Sequence, residues 1–175
     1  MFLDESGFLL VPSVTRTWAP RGQTPILRCA GRRSKISAIS GICVSPKRQR
    51  IALYAKFYSD KNIRSPQVVS FLGHLLKHLR GHVVLLWDSG RPHKGSLVKE
   101  FLEKHSRLHT ERFPGYSPEL NPDEFIWNNL KRALANGAPE NVHQLKRLLY
   151  PQFLRLRRSK KLLWSCVRAS DLPWT

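Results

Sequence analysis

The spacing of apolar and polar positions divides this chain into a short series of elements. Ile36, Ala38, Ile42 and Val44 share one parity within Lys35–Val44, and Ile51, Leu53, Ala55 and Phe57 do so within Arg50–Tyr58. A period of two is the signature of a strand with one buried face. The intervening Ser45-Pro46-Lys47-Arg48-Gln49 reads as a turn, so the two strands form an antiparallel hairpin. Ser65-Pro66 reads as an N-cap followed by proline at the first helical position, after which Val68, Phe71, Leu72, Leu75, Leu76 and Leu79 recur at helical spacing. His82 to Asp88 is a continuous apolar run too short for a helix, and it predicts a strand buried on both faces in the middle of a sheet. A helix over Lys94–Lys104, a strand over Leu108–Phe113, a helix after Pro122 carrying Ile126, Trp127, Leu130 and Leu134, and a helix from Val142 to Tyr150 complete the series. That order predicts a mixed α/β sheet covered by helices, without internal repeats.

Charge adds what periodicity cannot. The 175 residues hold 30 Lys and Arg against 12 Asp and Glu, a net charge of +18. The length suits one domain, read as residues 1–150 followed by a basic C-terminal tail over 151–175. Ten basic residues and no acid lie between Ser6 and Ser59, among them Arg32, Arg33 and Lys35, and eight basic residues and no acid lie between Val142 and Arg168. Acid-free stretches of this length fit contact with a polyanion, and double-stranded DNA is the leading partner, because each neutralised phosphate releases a counterion. No apolar run approaches the roughly 20 residues of a membrane span. The acids of Met1-Phe2-Leu3-Asp4-Glu5 stand where a signal peptide carries basic residues, so a cytoplasmic, nucleoid-associated protein is expected. Cys29, Cys43 and Cys166 form no C-x-x-C pair and read as buried small hydrophobes.

Three carboxylates stand at junctions between an apolar element and a polar loop. Asp4 closes Phe2-Leu3, Asp88 closes the buried strand ahead of Ser89-Gly90-Arg91-Pro92-His93-Lys94, and Glu124 opens the helix after Asn121-Pro122. Acids at the carboxyl ends of strands in an open α/β sheet face ligands. For Glu124 a capping box with Asn121 is the competing reading, while Glu124, Asn128 and Lys131 form a polar stripe beside the apolar one. Clustered carboxylates are hard oxygen ligands suited to Mg²⁺ or Mn²⁺. A pair of such ions activates a water or a 3′-hydroxyl and stabilises the leaving oxygen of a phosphodiester. His74 and His78, one helical turn apart, lack a third ligand and read as flanking the apolar stripe, and no G-x-S-x-G or phosphate-cradling glycine loop occurs.

Asp4-Glu5-Ser6-Gly7-Phe8, Arg16-Thr17-Trp18-Ala19-Pro20-Arg21-Gly22-Gln23-Thr24-Pro25, Trp87-Asp88 with His93-Lys94, and Pro114-Gly115-Tyr116-Ser117-Pro118-Glu119-Leu120-Asn121-Pro122-Asp123-Glu124-Phe125-Ile126-Trp127 follow one another in order. Together they resemble the DDE transposases of the mariner-like superfamily, in their bacterial insertion-sequence branch. The resemblance implies an RNase H-like mixed five-stranded sheet flanked by helices, with Asp4, Asp88 and Glu124 as the catalytic, metal-binding triad. The 35 residues between the last two acids suit that branch. It implies hydrolysis at transposon ends and strand transfer to target DNA, with His93 and Lys94 positioning a phosphate and Trp18–Pro25 matching a β-hairpin insertion. DNA contacts are expected from His93, Lys94, Asn128, Lys131, Arg32, Arg33 and Lys35, and a homodimer is compatible with this reading. The family's helix-turn-helix modules and most of the first strand are missing ahead of Asp4. The chain therefore reads as the downstream product of a split or truncated frame, and the competing functions are a remnant that binds DNA without cutting and a structure-selective nuclease of the same fold.

Overall fold

The computed structural model describes residues 1–11, 14–26 and 34–173. Five strands, β1 (Phe2–Leu9), β2 (Lys35–Ser45), β3 (Arg50–Ser59), β4 (Val83–Trp87) and β5 (Leu108–Arg112), form one sheet in the order β3-β2-β1-β4-β5. The first three make an antiparallel meander, while β4 and β5 run parallel to β1. Helices α1 (Ser65–His78), α2 (Ser96–Glu103), α3 (Pro122–Ala133), α4 (Val142–Arg158) and α5 (Lys160–Arg168) cover it.

Strand alternation sorts the core into two layers. Phe2 and Phe8 of β1, Ile36, Ala38 and Ile42 of β2, and Ile51 and Leu53 of β3 pack with Ile126, Trp127 and Leu130 of α3, Leu149 and Phe153 of α4, and Leu163 of α5. Leu3, Ile39, Leu85 and Trp87 face the other way, against Val68, Phe71, Leu72 and Leu75 of α1 and Val98 of α2. The hairpin read from alternation is therefore β2–β3, with register Ile42↔Leu53.

Several elements differ from the sequence-based expectation. The central strand is β1 and not β4. It continues through Glu5-Ser6-Gly7 to Leu9, paired along its whole length with β2, so Asp4 lies inside a strand and not at its end. The polar residues that suggested a loop are carried on a sheet whose far partner supplies the hydrogen bonds. β4 is covered unequally: Leu85 and Trp87 are buried, Leu86 is half-buried against the α3-side core, and Val84 is 50% exposed, since among the described residues the main contacts of α3, α4 and α5 with the sheet fall on β1, β2 and β3. Arg64, and not Ser65, caps α1. The basic segment expected as a tail is folded as well: α4 runs through Pro151 to Arg158, α5 follows, and Leu156, Leu163, Cys166 and Val167 enter the core. Pro151 is exposed, and burial of the surrounding apolar stripe holds the helix together across the missing N–H. Basic residues therefore occupy the solvent faces of α4 and α5, not a loose tail.

The described residues of the Trp18–Pro25 segment contain no strand. They form an exposed stretch with a turn closed by the Gln23 N–H on the Pro20 carbonyl at 3.0 Å, where Gly22 takes φ +82°. Cys43 and Cys166 are free thiols, and Cys29, Arg32 and Arg33 lie outside the described residues. Among the described residues no helix is long and apolar enough to cross a membrane.

Candidate active site

Asp4 shares the parity of Phe2 and Phe8 and so points to the α3 side of the sheet. Trp127, the fully buried indole of α3, donates Nε1–H to Asp4 Oδ2 at 3.1 Å. Burial, followed by the charges of Asp123, Glu124 and Glu5, pushes the Asp4 carboxyl up to about 8. Glu124 opens α3 and is half-buried. Its competing role as a cap is not realised: the Asn121 side chain accepts the Asp123 N–H at 3.2 Å, and among the described residues the Glu124 carboxylate carries no hydrogen bond or ion pair. Asp123, by contrast, is wholly buried, accepting from Ser40 Oγ and from the Ile42 N–H at 3.4 Å, and pins α3 to β2. Burial raises its carboxyl to about 7 against the opposing pull of those two donors.

Asp88 follows directly on β4. The parallel ladder pairs Phe2 with Leu86, and the Leu86 N–H reaches the Met1 carbonyl at 2.8 Å. The ladder ends at that pair, and Asp4 and Asp88 each lie two residues beyond it along their strands. The Asp88 carboxylate turns toward its own loop: Oδ1 accepts the Gly90 N–H at 2.8 Å and lies 2.9 Å from His93 Nδ1. Hydrogen bonding from His93, with a smaller opposing effect of burial, holds the carboxyl below its usual range.

His93 departs most from expectation. Read as a phosphate-positioning residue, it is buried in the 3₁₀ turn Arg91–Lys94 and stacked on Trp87 at 4.4 Å, and both ring nitrogens face protein carboxylates. Its Nε2 lies 2.8 Å from Glu5 Oε1, so no ring N–H remains for DNA. Burial lowers its affinity for a proton, but the hydrogen bonds to Asp88 and Glu5 outweigh that, and its pKa rises to about 10. The ring is an imidazolium at neutral pH. Glu5, absent from the sequence-based candidates, is thus part of the site; its only sequence signal is adjacency to Asp4.

Glu5, Asp88 and His93 are the group among the described residues whose ligand atoms lie within 4.8 Å of one another; Asp4, Asp88 and Glu124 do not meet that distance. The structure brings Asp4 and Glu124 together electrostatically on the α3 side and places Asp88 at the adjacent strand end, with its side chain drawn to His93.

The remaining candidates spread outward. Lys94 is exposed in the turn after Asp88, and Asn128 is exposed one helical turn beyond Glu124. Lys131 lies about 10 Å along α3 from Glu124, half-buried beside Gly7, Phe8 and Leu145. Lys35 pairs with Leu9, five positions from the Asp4 level and so roughly 17 Å along the strand. Its ammonium is occupied by Asn62 Oδ1, so Lys35 does not belong to the immediate site.

An antiparallel three-stranded meander extended by two parallel strands, with helices on both faces, is the RNase H-like fold. The family model described as "DDE superfamily endonuclease" matches residues 1–146, and the chain belongs to this family. Among solved structures it is similar to the Mos1 mariner paired end complex with Mn, at 18% identity and TM-score 0.71, over 95% of this chain and 51% of that one. It is likewise similar to the Mos1 transposase paired-end complex with left transposon end, at 18% identity and TM-score 0.70, over 95% and 50%. The catalytic domain of Mos1 mariner transposase matches at 14% identity and TM-score 0.64, over 95% of this chain and 74% of that one. The chain thus spans about half the length of the transposase chains in those complexes. A comparison with curated protein sequences finds no match.

Proposed function

We propose that this chain is the catalytic domain of a transposase, cutting phosphodiester bonds at transposon ends and joining the freed 3′ end to target DNA, its 3′-hydroxyl attacking a target phosphodiester whose own 3′ oxygen leaves. The observation that carries the reading is the acid on the central strand, Asp4, flanked by Glu124 from α3 and by Asp88 at the end of the neighbouring parallel strand. The donor set fits a divalent cation: all three side chains offer oxygen, and the Asp4 carboxyl is pushed up to about 8 by burial and by three neighbouring acids, a strain that a bound cation would relieve. Mg²⁺ or Mn²⁺, held by Asp4, Asp88 and Glu124, would supply an activated water or 3′-hydroxyl and stabilisation of the leaving oxygen.

The protein's own residues divide the remaining work. Trp127 orients Asp4 through its indole N–H. On the α3 side of the sheet Val84 of β4 is half exposed, the less covered part of that face among the described residues. Lys94, in the turn after Asp88, and Asn128, one helical turn beyond Glu124, are exposed, and Arg155, Arg158, Lys160 and Lys161 are exposed along α4 and α5. A homodimer, with each copy acting on one transposon end, and action where the cell keeps its DNA both belong to this proposal.

The test is Mg²⁺- or Mn²⁺-dependent nicking and strand transfer on DNA carrying the element's own ends, with Asp88→Ala as control. Metal-dependent cleavage abolished by Asp88→Ala supports the assignment. Cleavage that persists in the variant sinks it, and salt-sensitive binding without any cleavage identifies a DNA-binding remnant instead.

A further inference from the structure

The ladder between β1 and β4 ends at the Phe2–Leu86 pair, where the Leu86 N–H meets the Met1 carbonyl, and Asp4 and Asp88 each lie two residues further along their strands. A side-chain bridge takes over there. Glu5 reaches from β1 to His93 Nε2 at 2.8 Å, and His93 Nδ1 lies 2.9 Å from Asp88 Oδ1 and 3.1 Å from the Asp88 carbonyl. The imidazole is buried, stacked on Trp87, and its turn is tied to α1 by Ser65 Oγ donating to the Pro92 carbonyl at 2.8 Å. Asp88 Oδ1 is thereby committed to two donors, His93 and the Gly90 N–H, while among the described residues Oδ2 accepts none.

We propose that Glu5 and His93 are positioning residues: the Glu5 carboxylate orients the His93 ring, and the ring fixes the Asp88 carboxylate so that one oxygen is held by protein and the other is offered to a divalent cation. The inference rests on the reading of Asp88 as a cation ligand. Two alternatives are weaker. Direct ligation of an ion by Glu5, Asp88 and His93 together requires a ring nitrogen free of its proton, whereas both ring nitrogens already face carboxylates. A DNA contact by His93 requires an exposed ring, and this one is 6% exposed. Partners that orient a ligand are worth about 10–100-fold in metal affinity.

The experiment is Mn²⁺ titration of the full chain, followed by electron paramagnetic resonance and calorimetry, for the wild type and for Glu5→Gln, His93→Gln, their double variant and Asp88→Asn, with thermal unfolding and DNA binding measured on each. The expected result is Mn²⁺ affinity lowered about tenfold or more in each single variant, no further loss in the double variant, and unchanged DNA binding. Glu5→Gln keeps the shape and a hydrogen-bond acceptor and decides the matter should His93→Gln fail to fold. Wild-type Mn²⁺ affinity in Glu5→Gln, or losses that multiply in the double variant, overturn the proposal. Wild-type affinity in Asp88→Asn overturns the underlying ligand assignment instead, which keeps the two failures apart.

Discussion

Trp127→Phe separates the structural and chemical contributions of one side chain. The substitution keeps an aromatic ring against Phe8, whose ring lies edge-on at 6.0 Å, but removes the N–H held 3.1 Å from Asp4 Oδ2. With the Asp4 carboxyl at about 8, the indole bonds mostly to a neutral acid at pH 7, a contribution of about 0.5–1.5 kcal/mol. The smaller ring fills less of the apolar core, at a cost of about 1–2 kcal/mol. Unfolding in urea should therefore show a loss of roughly 2–3 kcal/mol. Ionised Asp4 loses more, because a hydrogen bond to a charged group is worth about 1.5–3 kcal/mol. The difference of about 1 kcal/mol disfavours the carboxylate form, so Mn²⁺ should bind roughly 5–10-fold more weakly and half-maximal nicking should require correspondingly more Mn²⁺. Calorimetric Mn²⁺ titration beside urea denaturation reads both numbers. A Trp127→Phe protein that loses stability but binds Mn²⁺ like the wild type would refute the role of the indole at Asp4.

Other outcomes follow from the same geometry. Three groups make stability fall as pH rises. Asp4, at 3.8 unfolded and about 8 folded, gives a share that is lost between about pH 4 and pH 8. His93, near 6.5 when unfolded and about 10 when folded, gives a contribution that is complete below pH 6.5 and lost as pH rises through 10. Asp123, at 3.8 unfolded and about 7 folded, keeps its proton longer in the native state, so its share is lost between about pH 4 and pH 7. Asp123→Asn should make the lower window shallower, leaving the share of Asp4, and His93→Gln should flatten the upper one, in denaturation curves taken across pH; unchanged slopes would contradict the assignments. Gly95→Ala should weaken the domain by about 1 kcal/mol, because a Cβ there would sit 2.2 Å from Ser65 Oγ and break its bond to Pro92; thermal unfolding checks it. Replacing Arg155, Arg158, Lys160 and Lys161 by Gln should weaken DNA binding and reduce the slope of log affinity against log salt by about 0.9 for each phosphate that is no longer neutralised. An unchanged slope would remove α4 and α5 from the DNA surface.

What the sequence made legible was local. Alternation in Lys35–Ser45 and Arg50–Ser59 marks the hairpin, because one face meets a continuous core. Asp88 and Glu124 are legible as acids at element ends, and the Pro114–Trp127 stretch as a rigid lead into a helix. Three features depend on partners remote in the chain. β1 continues past Asp4 because β2, a segment remote in the chain, pairs with it as far as Leu9↔Lys35. Pro151 argues locally for a helix end, yet burial of Leu149, Phe153 and Leu156 carries α4 through it. The role of His93 is set by Glu5, 88 positions distant, and no spacing rule links the two.

Anomalous diffraction from crystals soaked in Mn²⁺ shows whether Asp4, Asp88 and Glu124 share a divalent cation. The expected result is a Mn²⁺ peak bonded to carboxylate oxygens of Asp4 and Asp88 on the α3 side of the sheet, with Glu124 facing it. A peak held by Glu5, His93 and Asp88 on the opposite side, with Asp4 left unligated, would contradict it.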